Sequence, residues 1–206
     1  LSYLHPKIFK PDKSIKDKLG LDKNEKFIII RFVSWSAAHD YGKSGLDLKY
    51  KKRLVFELSK YCRVIISSEG DLPKELEPFK FNLHPTKIHD ALYGCDLFIG
   101  EGATMASESA VLGTSAIYIN PLPLGYTNEQ EKKYSLVYNF RDSEGVINKA
   151  IELISDPDLK KNSLKRRVEL LKGNINTNDF FIWFFGNYPS SAGIMNVNHD
   201  YQNKFF

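Results

Sequence analysis

Strand-like and helix-like patterns alternate along most of this chain, and that alternation predicts an α/β fold built on a doubly wound, mostly parallel sheet. Two segments carry the prediction furthest. Phe27–Val33, FIIIRFV, is apolar on both faces, as suits a strand at the centre of a parallel sheet. Leu97–Asn120, LFIGEGATMASESAVLGTSAIYIN, reads as strand, glycine turn, helix and strand, the punctuation of a parallel β-α-β unit.

The remaining elements follow in order. The opening LSYLHPKIFKPDKS is broken by His5-Pro6, Pro11 and Asp12 and has no helical period, so residues 1–14 read as a linker. Lys13–Leu19 is a short helix stopped by Gly20. After the first strand comes a polar loop, Ser34–Gly45, and then an amphipathic helix over Leu48–Tyr61, with Tyr50, Leu54, Leu58 and Tyr61 on one face. Arg63–Ser67 is the next strand. A short helix is expected at Pro73–Leu76, a strand at Phe79–Leu83 and a helix at Ile88–Tyr93. Beyond the central unit, Asn128–Lys133 starts a helix and Leu136–Phe140 is a last short strand. Ser143–Ile154 and Pro157–Lys172 are amphipathic helices. Asp179–Asn187 is an aromatic helix inside a terminal segment, residues 176–189, and residues 190–206 read as a loose tail. The main domain is expected over residues 15–175.

At 206 residues, with 42% hydrophobic and 26% charged residues, the chain has the composition of a globular protein with a sizeable core. A net charge of +4, with scattered lysines, gives no argument for nucleic acid. The cluster Lys160, Lys161, Lys165, Arg166 and Arg167 reads as a solvated helix face. Cys62 and Cys95 sit in apolar segments, which points to buried free thiols in a reducing, cytoplasmic setting. No stretch reaches transmembrane length and no signal peptide is evident. The chain starts at Leu1, so an earlier domain is expected upstream.

In a doubly wound sheet ligands bind beyond the carboxyl ends of the strands. Three loops qualify: Ser34–Gly45, His84–His89 and Glu101–Met105. The last is the most informative. Gly102, Ala103 and Thr104 leave the first backbone N–H groups of the following helix bare, and a helix N-terminus with free donors suits a phosphate. Glu108 lies one turn beyond Thr104 on the same face, where a carboxylate can accept hydrogen bonds from ribose hydroxyls.

The run Glu101-Gly102-Ala103-Thr104-Met105-Ala106-Ser107-Glu108, followed by Gly113 and Pro121, resembles the C-terminal, donor-nucleotide half of GT-B glycosyltransferases. The detailed match is to bacterial transferases that add N-acetylglucosamine to the lipid-linked muramyl pentapeptide. There the run is Ser-Gly-Ala-Leu-Thr-Val-Ser-Glu. UDP-N-acetylglucosamine 2-epimerases have a similar turn. The segment RFVSWSAAHDYGKSGL and the turn at Glu101 also resemble an uncharacterised prokaryotic family, a domain of unknown function about twice as long as this chain. The resemblance spans roughly Leu1–Tyr188 and implies a Rossmann-like GT-B C-terminal domain. It implies that Gly102, Ala103 and Thr104 approach a diphosphate and that Glu108 takes the ribose. It places the loop with Ser34 and Ser36 near the phosphates, His84 where the base would stack, and Glu129, Gln130 and Glu131 near the sugar. The sugar-holding pair in the transferases is two glutamines, of which only Gln130 is kept.

What the resemblance implies is a UDP-sugar-binding half of a glycosyltransferase or related sugar-nucleotide enzyme. It would work with UDP-sugar as substrate, without metal or other cofactor, and be inactive without its N-terminal half. The rival reading is a non-catalytic interaction domain that keeps a degenerate GT-B fold. His39 and Asp40 are the candidate catalytic pair, in the loop after the first strand. A serine hydrolase is disfavoured because neither Ser34 nor Ser36 has flanking glycines. Asp156-Pro157-Asp158 reads as a helix start, not a metal motif. His5, His84, His89 and His199 are too dispersed for a metal site. Phe180–Phe185 is apolar all round, so that helix is buried or meets a partner. The resemblance makes it the helix that crosses back to the N-terminal domain. In the isolated chain it could support a homodimer. It lacks the interleaved basic residues of a membrane-surface helix.

Overall fold

A computed structural model describes residues 1–34, 45–122 and 124–206. Five strands form one sheet: β1 (Phe27–Phe32), β2 (Arg63–Ser68), β3 (Leu97–Gly100), β4 (Ser115–Ile119) and β5 (Val137–Phe140). Their spatial order is β2-β1-β3-β4-β5 and every pairing is parallel. β1 lies between β2 and β3 with Ile29 opposite both Ile65 and Phe98. The chain runs outward from β1 to β2 and then crosses to β3. The crevice between the carboxyl ends of β1 and β3 is therefore the topological switch point.

The two-sided apolar pattern of β1 divides between two cores. Phe27 and Ile29 pack with Phe98, Ala106, Ala110, Ala116 and Val137 on one face. Ile28, Ile30 and Phe32 pack with Leu54, Leu58, Ile66, Ile99, Ile117 and Ile154 on the other. Alternation of side chains along each strand enforces this split. The helices are α1 (Ile15–Lys18), α2 (Leu48–Leu58), α3 (Ile88–Gly94), α4 (Ala103–Leu112), α5 (Gly125–Lys132), α6 (Val146–Ser155), α7 (Leu159–Lys172), α8 (Thr177–Gly186) and α9 (Ser190–Val197). α2 and α6 supply one cover; α3, α4 and α7 contribute to the other.

α4 shows how sequence sets position. Its small residues Ala106, Ser107, Ser109 and Ala110 are buried, which lets the helix lie close to the sheet. Gly113 ends it at φ +82, a left-handed conformation that favours glycine. A Cβ there would lie 2.8 Å from Leu164 Cδ2.

Three expectations are corrected. Pro73–Leu76 forms only turns, and a 3₁₀ turn follows at Glu77–Phe79. Pro73 and Pro78 bracket too few residues for an α-helical ladder. The expected strand at Phe79–Leu83 reduces to one bridge, Lys80 to Ile66, with Phe81 N donating to Ile66 O at 2.7 Å. The tail is not loose: α9 and a 3₁₀ stretch, His199–Phe205, fold back on α8. Trp183 of α8 stacks on Tyr201 with centroids 4.6 Å apart, and Phe205 meets both Phe180 and Trp183.

The aromatic helix is consequently two-faced. Its inner rings meet the tail, while Phe181, Ile182 and Phe185 are 51%, 74% and 70% exposed. Residues 1–14 also pack on the domain. Leu4 is in the core, Asp12 N donates to the buried Asp90 Oδ1 at 2.9 Å, and Lys7 pairs with Asp179 at 2.9 Å. Both cysteines are free; Cys95 is buried and Cys62 partly so. Among the described residues no helix is long and apolar enough to cross a membrane.

Candidate functional site

The switch point brings together the end of β1, the turn after β3 and the start of α4. Gly102 is the N-cap of α4 with extended backbone, φ −98 and ψ 117, and among the described residues no side chain caps the helix. Ala103 and Thr104 follow in its first turn, Thr104 exposed. A ten-residue helix with an uncapped N-terminus offers N–H donors and a positive dipole end at this edge. The glycine is not needed for a positive φ, which differs from the usual role of a turn glycine. Among the described residues a Cβ at Gly102 would meet only Val33 Cγ1, at 3.6 Å. The lack of a side chain leaves the backbone accessible; it does not relieve strain.

The sequence places Glu101 in a candidate loop but gives its side chain no role. The structure makes it the buried centre of the crevice, 2% exposed. Its Oε1 accepts from Leu46 N at 2.6 Å and its Oε2 from Val33 N at 3.4 Å, and Lys51 Nζ lies 3.8 Å from Oε2. Glu101 thus ties the two ends of the loop after β1 to the turn after β3. The sequence signal was an acidic residue at the carboxyl end of an apolar strand, where a carboxylate needs local donors to be buried.

Glu108 is 5% exposed, one turn down α4. Tyr3 Oη donates to its Oε1, and His89 Nε2 from α3 lies 3.3 Å from its Oε2. Burial pushes this carboxyl upward, but the bonds from His89 and Tyr3 outweigh that and hold it below the ordinary range. Burial together with the same bond pushes the Tyr3 phenol up to about 12. The sequence marks His89 only as the end of a candidate loop and gives Tyr3 no role. Tyr3 lies in the segment read as a linker, and His89 reaches Glu108 only through the packing of α3 on α4.

The other predicted residues are placed in different surroundings. Thr104, Glu129 and Gln130 line one cavity of about 470 Å³, between α4, α5, the end of α7 and the N-terminal segment. Gln130 is buried and its Nε2 donates to Ser107 Oγ at 2.7 Å. Glu129 is exposed and pairs with Lys133. Glu131 is not directed to that cavity; both its oxygens accept from Asn139, from the backbone N at 3.0 Å and the side-chain amide at 2.8 Å. Ser34 is turned toward Glu69, whose Oε2 accepts from its backbone N and its Oγ. His84 caps the turn Pro85–Lys87 through Thr86. Ser36, His39 and Asp40 lie outside the described residues. Asp156 Oδ1 accepts from Asp158 N at the start of α7, a helix-entry role. Among the described residues no group of three or more His, Cys, Asp or Glu side chains is placed to hold a metal ion.

The model of a family described as a protein of unknown function, DUF354, matches residues 5–176. No curated protein matches the sequence. Among solved structures the chain is similar to CalG4, the calicheamicin glycosyltransferase, at TM-score 0.55 and 12% identity, over 88% of this chain and 45% of that one. It is also similar to the wall teichoic acid polymerase TagF, at TM-score 0.48 and 13% identity, over 98% and 50%. A UDP-N-acetylglucosamine 2-epimerase matches at TM-score 0.45 and 15% identity, over 78% and 41%. The chain spans half or less of the length of each. The parallel five-stranded domain is a Rossmann-like α/β fold of the GT-B kind.

Proposed function

The chain belongs to the DUF354 family, and from its fold and its switch-point geometry we propose that it is the nucleotide-sugar-binding half of a GT-B glycosyltransferase or a related sugar-nucleotide enzyme. The observation that carries this reading is the uncapped N-terminus of α4 at the crevice between β1 and β3, with a buried carboxylate one turn along the same helix. The diphosphate of a UDP-sugar would accept from the N–H groups at Gly102, Ala103 and Thr104. Fixed dipoles aimed at a leaving diphosphate stabilise charge as it develops. The carboxylate of Glu101, already engaged by Val33 N, Leu46 N and Lys51, would stand behind the turn and hold the loops around it. Glu108 would take the ribose hydroxyls, and the cavity beside Thr104, Glu129 and Gln130 would receive the sugar. Hexosyl transfer would require a second domain for the acceptor, so this half alone would bind and not turn over. A cytoplasmic location fits a UDP-sugar substrate.

One observation favours a second reading, a non-catalytic interaction domain with a degenerate GT-B fold. Both oxygens of Glu108 already have protein partners. Calorimetric titration with UDP separates the two. The nucleotide reading expects saturable binding that Glu108→Gln weakens by about 1–3 kcal/mol, the worth of a hydrogen bond to a charged group. An analogue lacking both ribose hydroxyls should be insensitive to that change. Absence of any UDP binding would favour the interaction domain.

A further inference from the structure

This inference rests on the reading of Glu108 as the partner of ribose hydroxyls, and it concerns what holds that carboxylate when no nucleotide is present. Glu108 is closed by two groups of different character. His89 is carried on α3, which packs on α4 and is anchored by the buried Asp90 beside it. Tyr3 sits on a short 3₁₀ turn, Ser2–Leu4, and is 47% exposed. The turn itself is pinned, because Leu4 is 1% exposed and belongs to the core. The backbone at Tyr3 is therefore fixed while its ring has solvent on one side, and exposed side chains exchange rotamers within nanoseconds.

The chemistry of the contact is also specific. Tyr3 Oη gives Glu108 Oε1 a hydroxyl donor, and a ribose hydroxyl would offer the same carboxylate oxygen the same type of bond. The ring lies edge-on to His89, with centroids 5.7 Å apart, so the two side chains that meet Glu108 also touch each other. We propose that Tyr3 is a placeholder for a ribose hydroxyl: it satisfies the buried carboxylate of Glu108 in the empty domain and swings out when the vicinal diol of a ribonucleotide arrives. His89 keeps its bond to the other oxygen throughout and acts as a positioning residue. The arrangement spares the empty site an unsatisfied buried charge, and the lost tyrosine bond subtracts from nucleotide affinity.

The test compares wild type with Tyr3→Phe in calorimetric titrations with UDP and with its analogue lacking both ribose hydroxyls. Thermal melting confirms that each variant is folded, and Tyr3→Leu is a second variant with the same expectation. Removing the competing hydroxyl should tighten UDP about tenfold, which is about 1.4 kcal/mol. The analogue should gain nothing. UDP binding that is unchanged or weakened in Tyr3→Phe overturns the placeholder and leaves the nucleotide reading standing. UDP bound by neither protein removes the ribose role of Glu108, and the placeholder with it.

Discussion

Glu101 Oε1 accepts a hydrogen bond from the backbone N–H of Leu46 at 2.6 Å, so a side chain at the end of β3 fastens the far end of the loop that leaves β1. The same carboxylate receives Val33 N at the near end of that loop. One residue thus takes a backbone donor from each end of that loop.

Glu101→Ala removes the acceptor for two backbone donors and the partner of Lys51. The expected loss is about 3 kcal/mol of unfolding free energy, since hydrogen bonds to charged groups contribute about 1.5–3 kcal/mol each and part is recovered by water. Glu101→Gln keeps an acceptor and should lose about half as much. Urea unfolding midpoints check both values; a wild-type midpoint in Glu101→Ala would show that these bonds contribute nothing.

The glycines of the central unit should respond in opposite ways. Gly102 has φ −98 and room for a methyl group, so Gly102→Ala should be neutral or stabilising by about 0.4–1 kcal/mol through the unfolded chain. Gly113 has φ +82 and two side-chain atoms within 2.9 Å of a built Cβ, so Gly113→Ala should destabilise by about 1–2 kcal/mol or more. Equal melting temperatures for the two variants would contradict the geometry.

Glu108 gives stability a defined pH dependence. Its folded-state carboxyl is held below the ordinary carboxylate range, so the unfolded state binds the proton more readily. The stability it contributes is present above the unfolded value and is lost as pH falls through the folded one. Melting temperatures measured from neutral pH down into the acid range should fall more steeply for wild type than for Glu108→Gln. Parallel curves would mean that the bonds from Tyr3 and His89 do not favour the ionised form.

The outer face of α8 leads to a prediction about association. Phe181 and Phe185 lie 6.0 Å apart and are largely exposed, and burying one such ring contributes about 1.5–3 kcal/mol. Sedimentation should show concentration-dependent self-association of wild type, abolished in a Phe181→Ser, Phe185→Ser double variant. A wild-type monomer at high concentration would mean that the inner rings and the tail already satisfy this helix.

The parts of the fold that were legible in the sequence are those in which one face pattern settles the outcome. β1 is apolar on both sides because it is covered on both sides, and α4 runs between Gly102 and Gly113, two glycines that punctuate the sequence. What was not legible depends on partners distant in the chain. Tyr201 and Phe205 lie one turn apart, yet only Trp183 and Phe180 give that spacing a purpose. At the site, the bare helix start was readable from three small residues. Tyr3 and His89 were not, because each meets Glu108 by tertiary packing alone. Glu131 matched a sugar-site position by resemblance, but its spacing to Asn139 across the α5–β5 turn directs both oxygens to that residue.

A nucleoside diphosphate received by the first turn of α4 would be felt first by the amides of that turn. Amide NMR during a UDP titration reads those groups one by one. Saturable shifts are expected at the N–H groups of Gly102, Ala103 and Thr104, absent in a folded Gly102→Val variant whose branched Cβ blocks approach to that backbone. Shifts that spare these three amides, or that persist unchanged in Gly102→Val, would contradict a diphosphate seat there.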